Sequence, residues 1–139
     1  MNREVEKVLE NHYNLWLEVA RLCGKDYTEV YENYSDGDDV KAVAFENLGY
    51  TEPVNFNCFC CEFTGYNRDD AANRDYRKCE KCPIDWGIEG SNEDWKEPPC
   101  CMGLYDDFFD SFDCGMYNQA EDIAEQIAEL PTNPIYCLD

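Results

Sequence analysis

Apolar side chains recur every three or four positions at the start of the chain, which is the spacing of one face of an α-helix. Between residues 2 and 23 this face comprises Val5, Val8, Leu9, His12, Trp16, Val19, Ala20 and Cys23. Gly24 follows directly and favours the end of a helix there. The pattern predicts an amphipathic helix over residues 2–23, with His12 satisfied in its apolar face rather than acting as a base.

Weaker patterns continue to residue 49. The stretch "DYTEVYENY" favours a short helix, and "SDGDD" is typical of a loop in which Asp38 or Asp39 caps the next element. The segment "VKAVAFENLG" predicts a further helix that ends at Gly49. Its expected buried set is Val40, Val43, either Ala44 or Phe45, and Leu48.

The clearest stripe lies in "NQAEDIAEQIAEL", which predicts a C-terminal helix. Its apolar positions are Ala120, Ile123, Ala124, Ile127 and Ala128. Asn118 and Glu121 have the spacing of a capping box, and Pro131 terminates the pattern. Residues 50–101, by contrast, lack sustained periodicity and are rich in Cys, Asn, Gly and Pro, so this segment needs another source of order.

The length of 139 residues favours a single domain. Its expected parts are a helical part at 1–49, a cysteine-rich part at 50–101 and an acidic helical part at 102–139. The opening "MNREVEKVLENHY" lacks the apolar region of a secretory signal, and no apolar run approaches the length of a membrane span. We therefore expect a cytoplasmic protein with reduced thiols.

Ten cysteines are the main chemical signal. Cys58, Cys61, Cys79 and Cys82 together form C-x2-C-x17-C-x2-C, the spacing of a four-thiolate zinc site. Cys60, Cys100 and Cys101 are further thiols that could replace one of the four. Cys23, Cys114 and Cys137 are expected to be small buried hydrophobes. The predicted fold is thus mainly α, with N- and C-terminal helices packing on a small core and a central segment stabilised by zinc in a ribbon or knuckle.

Other thiol chemistries remain open. Disulfides are disfavoured by the expected compartment, and a thioredoxin-like pair is disfavoured because "CEKC" follows a polar loop. An iron–sulfur cluster uses the same four thiolates as zinc. A four-thiolate zinc is closed to substrate, and the chain lacks the sequence motifs of hydrolases, deaminases and phosphate-binding loops. The sequence therefore indicates structural zinc in a protein that is not an enzyme.

Charge is the second signal, since 31 acidic and 11 basic residues give a net charge of −20. This balance excludes a broad basic face for direct nucleic-acid binding. Residues 97–139 contain no Lys or Arg. The acids expected to meet a basic protein partner are Asp106, Asp107, Asp110, Asp113, Glu121, Glu125 and Glu129, with the aromatics of "LYDDFFDSF" as anchors. Helical acids four residues apart rise about 6 Å, close to the separation of phosphates along a strand. Solvation of a surface helix and a salt-loving host are the alternative explanations.

The cysteine pattern also resembles a family. "CFCCEF", "CEKCPI" and "PPCCMGLY" before a C-terminal helix are similar to small cysteine-rich proteins predicted in tailed-phage genomes. The matching positions are Cys58, Cys61, Glu62, Cys79, Cys82, Pro83, Ile84, one of Cys100 and Cys101, and Tyr105. The resemblance covers residues 56–130, and this chain differs in its doubled cysteines and longer insert. It implies a zinc site, a phage setting and the host cytoplasm, and it implies no particular chemistry.

Together these signals predict a non-enzymatic, zinc-binding acidic protein that binds a protein partner. A phage-encoded inhibitor of a host nucleic-acid-binding or defence complex, acting by nucleic-acid mimicry, would have these properties. The first alternative is a zinc-stabilised accessory subunit of a larger assembly. The second is a thiol or iron–sulfur redox protein.

Overall fold

The regular structure is helical in the part of the chain that the computed structural model describes, which is residues 3–49, 59–64, 76–87 and 103–136. The helices are α1 (Arg3–Cys23), α2 (Tyr27–Asn33), α3 (Gly37–Asn47), α4 (Phe59–Thr64), α5 (Tyr76–Cys79), α6 (Leu104–Asp113) and α7 (Tyr117–Ala128). A short 3₁₀ helix follows at Pro134–Tyr136. Within these ranges, β pairing is limited to one antiparallel bridge between Ile84 and Thr132. The prediction of a mainly α fold is confirmed for them.

The main core lies where α1, α3, α6 and α7 meet, with α7 packed against both α1 and α6. Its buried side chains include Leu15, Trp16, Val19, Val30, Val40, Ala44, Phe45, Phe108, Phe112, Ala120, Ile123, Ala124 and Ile127. The apolar stripe predicted for the C-terminal helix is buried in full. The expected packing of N- and C-terminal helices is therefore confirmed. No helix of the described ranges is long and apolar enough to cross a membrane.

His12 joins the two longest helices, as its place in the apolar stripe suggests. Its side chain is buried, and Nε2 donates a hydrogen bond to the carbonyl of Ile127 at 2.9 Å. The ring also meets Trp86 edge-on, with centroids 5.9 Å apart. Ile127 lies in the last turn of α7, where helix carbonyls lack an intrahelical partner. The expectation that His12 is a satisfied core residue is confirmed.

The start of α3 differs from the expected loop. The helix begins at Gly37, and Asp36 is the N-cap, with its carboxylate accepting from Asp39 N–H at 2.8 Å. Asp38 and Asp39 lie in the first helical turn, so neither is the cap. A close approach explains the glycine, because a Cβ at Gly37 would lie 2.5 Å from a carbon of the Phe109 ring. The expected burial of Leu48 is also wrong, since that residue is 37% exposed.

Two expectations for the acidic C-terminal part need correction. The N-cap of α7 is Met116, and no side chain caps this helix, so the Asn118–Glu121 capping box is wrong. The aromatics expected as exposed anchors belong instead to the core, where Phe108 and Phe112 are fully buried and Tyr105 and Phe109 are half-buried. The aromatic spacing in α6 matches its inner face, which packs on Trp16 and α7.

Candidate metal centre and acidic surface

The second cysteine pair lies in a tight turn at the end of α5. Cys79 is half-buried and Cys82 is buried as a free thiol. The turn closes through two backbone hydrogen bonds of 3.1 Å, from Cys82 N–H to the Cys79 carbonyl and from Lys81 N–H to the Lys78 carbonyl. Both cysteines therefore belong to one turn, which is the backbone arrangement typical of one half of a thiolate metal site.

The segment after α7 holds this turn in place. The side-chain amide of Asn133 donates to the carbonyls of Cys82 at 2.8 Å and Glu80 at 3.0 Å. The backbone N–H of Asn133 donates to the Pro83 carbonyl at 2.7 Å, and Asp85 N–H donates to the Pro131 carbonyl at 2.9 Å. Residues 131–133, which we call the strap, thus hold backbone groups in the turn of the second cysteine pair. The strap begins three residues after α7 ends.

A small apolar cluster joins the two cysteine-rich regions to α1. Cys60 of α4 is buried together with Cys82 and Ile84, and Val8 and Leu9 of α1 pack against them. Cys60, proposed above as a substitute ligand, thus occupies a packing position beside the second pair. Cys61 belongs to α4, but its side chain lies outside the description. Cys58, Cys100, Cys101 and Cys137 lie outside the described residues.

A complete metal site does not follow from the described side chains alone. Among them, no three His, Cys, Asp or Glu groups are placed to hold a metal ion. Cys79 and Cys82 fit one half of a four-thiolate site, because one turn presents both and Cys82 is withdrawn from solvent. The other predicted half is Cys58 and the side chain of Cys61, both outside the description, so the four-cysteine ligand set remains a prediction.

The acidic surface consists of exposed carboxylates on α6 and α7. Asp106, Asp107 and Asp110 are exposed on α6, and Glu125 and Glu129 are exposed at the C-terminal half of α7 and its cap. The described residues 103–136 include no basic side chain. These five acids are exposed in a described segment that contains no base, so the segment presents negative charge at the surface.

Two further acids of the predicted set have intramolecular contacts. Asp113 is exposed, but its carboxylate accepts from Gly37 N–H at 3.0 Å at the start of α3. Glu121 is half-buried, and its carboxylate packs against Gly24, where an added Cβ would lie 1.7 Å from Oε2. Glu121 also contributes, after burial, to raising the pKa of Cys23. Both side chains therefore support contacts between helices.

Cys23 and Cys114 have opposite environments, although both were expected to be buried. Cys23 is buried, whereas Cys114 is exposed, so the expectation for Cys114 is wrong. Burial first, and then the charge of Glu121, raises the pKa of Cys23 from 9.0 to about 12. The thiolate is the reactive form, so the burial and the pKa both protect Cys23 from electrophiles.

We expect N-ethylmaleimide at pH 8 to modify Cys23 at least about 100-fold more slowly than Cys114, measured by mass spectrometry of quenched peptides. Equal labelling of the two thiols in the folded protein would contradict this assignment.

The raised pKa of Cys23 also makes the stability of the fold depend on pH. Because this pKa is higher in the folded state, Cys23 stabilises the fold fully below pH 9, and this stabilisation is lost as pH rises towards 12. The variant Cys23→Ala should not show this loss of stability at alkaline pH.

One residue of the interior was missed by the sequence pattern. Lys41 is only 1% exposed, and its Nζ donates to the hydroxyl of Tyr105 at 2.9 Å. The same ammonium lies 4.8 Å from the ring centroid of Tyr105 and 5.5 Å from that of Trp16. A signal was present, because Lys41 stands four residues before Phe45 on the buried side of α3. Lysine side chains are nevertheless rarely buried, so this signal is weak in the sequence.

The comparisons with known proteins give no further guide to the site. The chain matches no protein-family model, no curated protein sequence and no solved structure.

Proposed function

We propose that this chain is a non-enzymatic, zinc-binding acidic protein that binds a partner protein through the exposed carboxylates of α6 and α7. The observation that carries the proposal is the outward position of Asp106, Asp107, Asp110, Glu125 and Glu129 in a described segment without bases. A field of one sign attracts a partner of the opposite sign and makes association depend strongly on salt.

Nucleic-acid mimicry is the specific form of this proposal. Asp106 and Asp110, like Glu125 and Glu129, are four residues apart, which corresponds to a rise of about 6 Å along a helix. Carboxylates at this spacing present charge at intervals close to those of phosphates on a strand. The resemblance to cysteine-rich phage proteins, carried by the cysteine motifs alone, suggests a host nucleic-acid-binding or defence complex as the partner and the host cytoplasm as the compartment.

Zinc has a structural role in this proposal. Cys79 and Cys82 would supply two thiolates, and Cys58 and Cys61 the others, with Cys60, Cys100 and Cys101 as substitutes. The ion would tie residues 50–101 to the strap after α7, which already holds the second pair. If the acids only solvate the surface, the same zinc-stabilised fold would serve as an accessory subunit of a larger assembly. A thiol or iron–sulfur redox protein is the remaining candidate.

Reversing two charges separates mimicry from solvation. We expect Glu125→Lys with Glu129→Lys to lower the affinity for the partner at least about tenfold, because repulsion replaces attraction at both positions. The measurement is capture on immobilised protein from an extract of the native host, at graded salt, followed by displacement with a short DNA duplex. A matched control is Glu6→Lys with Glu10→Lys, exposed acids at the same spacing on α1.

Three results of this experiment are informative. Displacement of the wild-type partner by DNA, weakened capture by the α7 variant and normal capture by the α1 variant would support mimicry. Equal losses in both variants would show an effect of net charge alone. Undiminished capture by the α7 variant would rule out the proposed surface and favour the accessory-subunit alternative.

A further inference from the structure

Two tyrosines on α2 are unusually exposed for aromatic side chains. Tyr27 is 59% exposed and Tyr31 is 66% exposed. Their rings are nearly parallel, with planes 9° apart and centroids separated by 6.3 Å. The ring of Tyr27 packs against Tyr117, a buried residue whose ring centroid is 5.1 Å away. The pair therefore presents aromatic surface to solvent from a position fixed by the core.

The apolar surface extends beyond the two rings. Met116, the N-cap of α7, is 50% exposed. A cavity of about 280 Å³ lies between Lys25 and Tyr27 on one side and residues 115–119 on the other. We call Tyr27, Tyr31 and Met116 the tyrosine patch. Tyr and Met are enriched at protein interfaces, and exposed groups of them mark sites of interaction.

Acidic side chains outnumber basic ones around the tyrosine patch. Asp26, Glu29 and Glu32 are exposed on or next to α2. The neighbouring bases are already paired, since Lys25 Nζ lies 3.6 Å from a Glu29 carboxylate oxygen and Arg21 forms a 2.6 Å contact with Glu18. An arriving cation therefore meets exposed aromatic faces beside a surplus of carboxylates, and such faces attract guanidinium and ammonium groups.

We propose that the tyrosine patch is the anchor at which an arginine-rich segment of the partner protein docks. In this arrangement a guanidinium group lies over the face of Tyr31, the side-chain stem packs on Tyr27 and Met116, which line one cavity, and the surplus of acids on α2 attracts the charge. Arginine fits better than lysine because its planar cation stacks on an aromatic ring. Tyrosine and arginine are also the side chains that dominate interface energies.

This inference rests on the proposed function, because it assumes a protein partner with a basic surface. The aromatic side chains of α6 lie in the core and cannot anchor a partner. The inference therefore assigns that role to the exposed tyrosines of α2. A second copy of the chain is a poor occupant, since two chains of net charge −20 repel each other and both patches carry the same acids. Charge complementarity thus selects a basic partner.

The test uses a synthetic peptide of nine arginines and the full chain. We expect Tyr31→Ala to bind the peptide about five- to tenfold more weakly than the wild type, because the cation loses its ring. Tyr31→Phe keeps the ring and should remain within about twofold of the wild type. The matched control is Tyr13→Ala, which removes another exposed tyrosine, 45% accessible on α1, and should bind as the wild type does. The measurement is isothermal titration calorimetry at low and at physiological ionic strength.

The outcomes separate this inference from the proposed function. If Tyr31→Ala binds the peptide as the wild type does, the tyrosine patch is not the anchor, and partner capture that depends on Glu125 and Glu129 would leave the proposed function intact. Wild-type dimers in analytical ultracentrifugation that Tyr31→Ala dissociates would make a second copy the occupant and overturn the inference. Equal loss in Tyr31→Ala and Tyr13→Ala would also overturn it.

Discussion

Replacement of Cys82 by serine is expected to remove zinc from the protein. Cys82 is buried in the turn after α5, and a serine hydroxyl stays protonated at neutral pH, so it cannot replace a thiolate ligand. We expect about one zinc per chain in protein purified without added metal and almost none in Cys82→Ser, measured by elemental mass spectrometry. The same measurement reports iron, so it also tests the iron–sulfur alternative.

The loss of metal should have a large structural effect. In small zinc domains the free energy of metal binding, about 10–16 kcal/mol, appears as free energy of folding. We therefore expect the amide of Asp85, which donates to the Pro131 carbonyl, to exchange with deuterium at least about 100-fold faster in Cys82→Ser. Chelation of the wild type should have the same effect.

Cys114→Ser is the matched control for this experiment. Cys114 is exposed at the end of α6, away from both predicted cysteine pairs in sequence, so its replacement should change neither zinc content nor exchange. Wild-type zinc content in Cys82→Ser would contradict the predicted ligand set. A wild-type protein without metal would contradict the zinc proposal altogether.

The substitution Lys41→Glu is expected to prevent folding or to destabilise the protein severely. The buried ammonium of Lys41 donates to the Tyr105 hydroxyl and lies over the rings of Tyr105 and Trp16. A carboxylate at this position would face the negative faces of both rings without solvent. An uncompensated buried charge costs about 3–5 kcal/mol, which is a large part of the roughly 5–15 kcal/mol that stabilise a domain.

Urea denaturation followed by circular dichroism measures this effect. The control is Lys41→Met, which keeps an apolar stem of similar length and removes the charge, and we expect it to cost less than about 2 kcal/mol. A Lys41→Glu protein with the wild-type urea midpoint would show that the ammonium is dispensable. If both variants fail to fold, the hydrogen bond to Tyr105 matters more than the sign of the charge.

The helices with continuous apolar stripes could be predicted from the sequence. For α1 and α7 the spacing of apolar residues identifies the buried face, because burial of that face is the main source of their stability. His12 could be placed correctly because it stands within such a stripe. A helix can thus be predicted from its own sequence wherever the surface that it packs against is apolar.

Features that depend on tertiary neighbours could not be predicted in this way. Lys41 is buried because Trp16 and Tyr105, distant in sequence, form an aromatic surface around its ammonium. The aromatics of α6 were expected in solvent because acids separate them, yet the same spacing places them on one inner face. Glu121 was grouped with Glu125, although contact with Gly24 turns it inward. In each case a neighbour from another helix decides the environment.

The candidate metal site could be predicted only in part for the same reason. The spacing of Cys79 and Cys82 indicates a tight turn, which the hydrogen bond from Cys82 N–H to the Cys79 carbonyl forms. The strap around Asn133 has no sequence signal, because its hydrogen bonds go to carbonyls that every residue carries. The exposure of the two tyrosines of α2 likewise has no sequence signal, because it depends on how that short helix lies on the core.

The hydrogen bond between His12 and Ile127 joins residues that are 115 positions apart. Because α1 finds its principal partner in α7, the core cannot close until nearly the whole intervening chain has been synthesised. Closure of so long a loop carries a large entropic cost, and folds with distant contacts form slowly. On the ribosome the face of α1 that packs on α7 would therefore stay exposed until α7 is synthesised, and a nascent chain interrupted before α7 would be a natural target for chaperones and proteases.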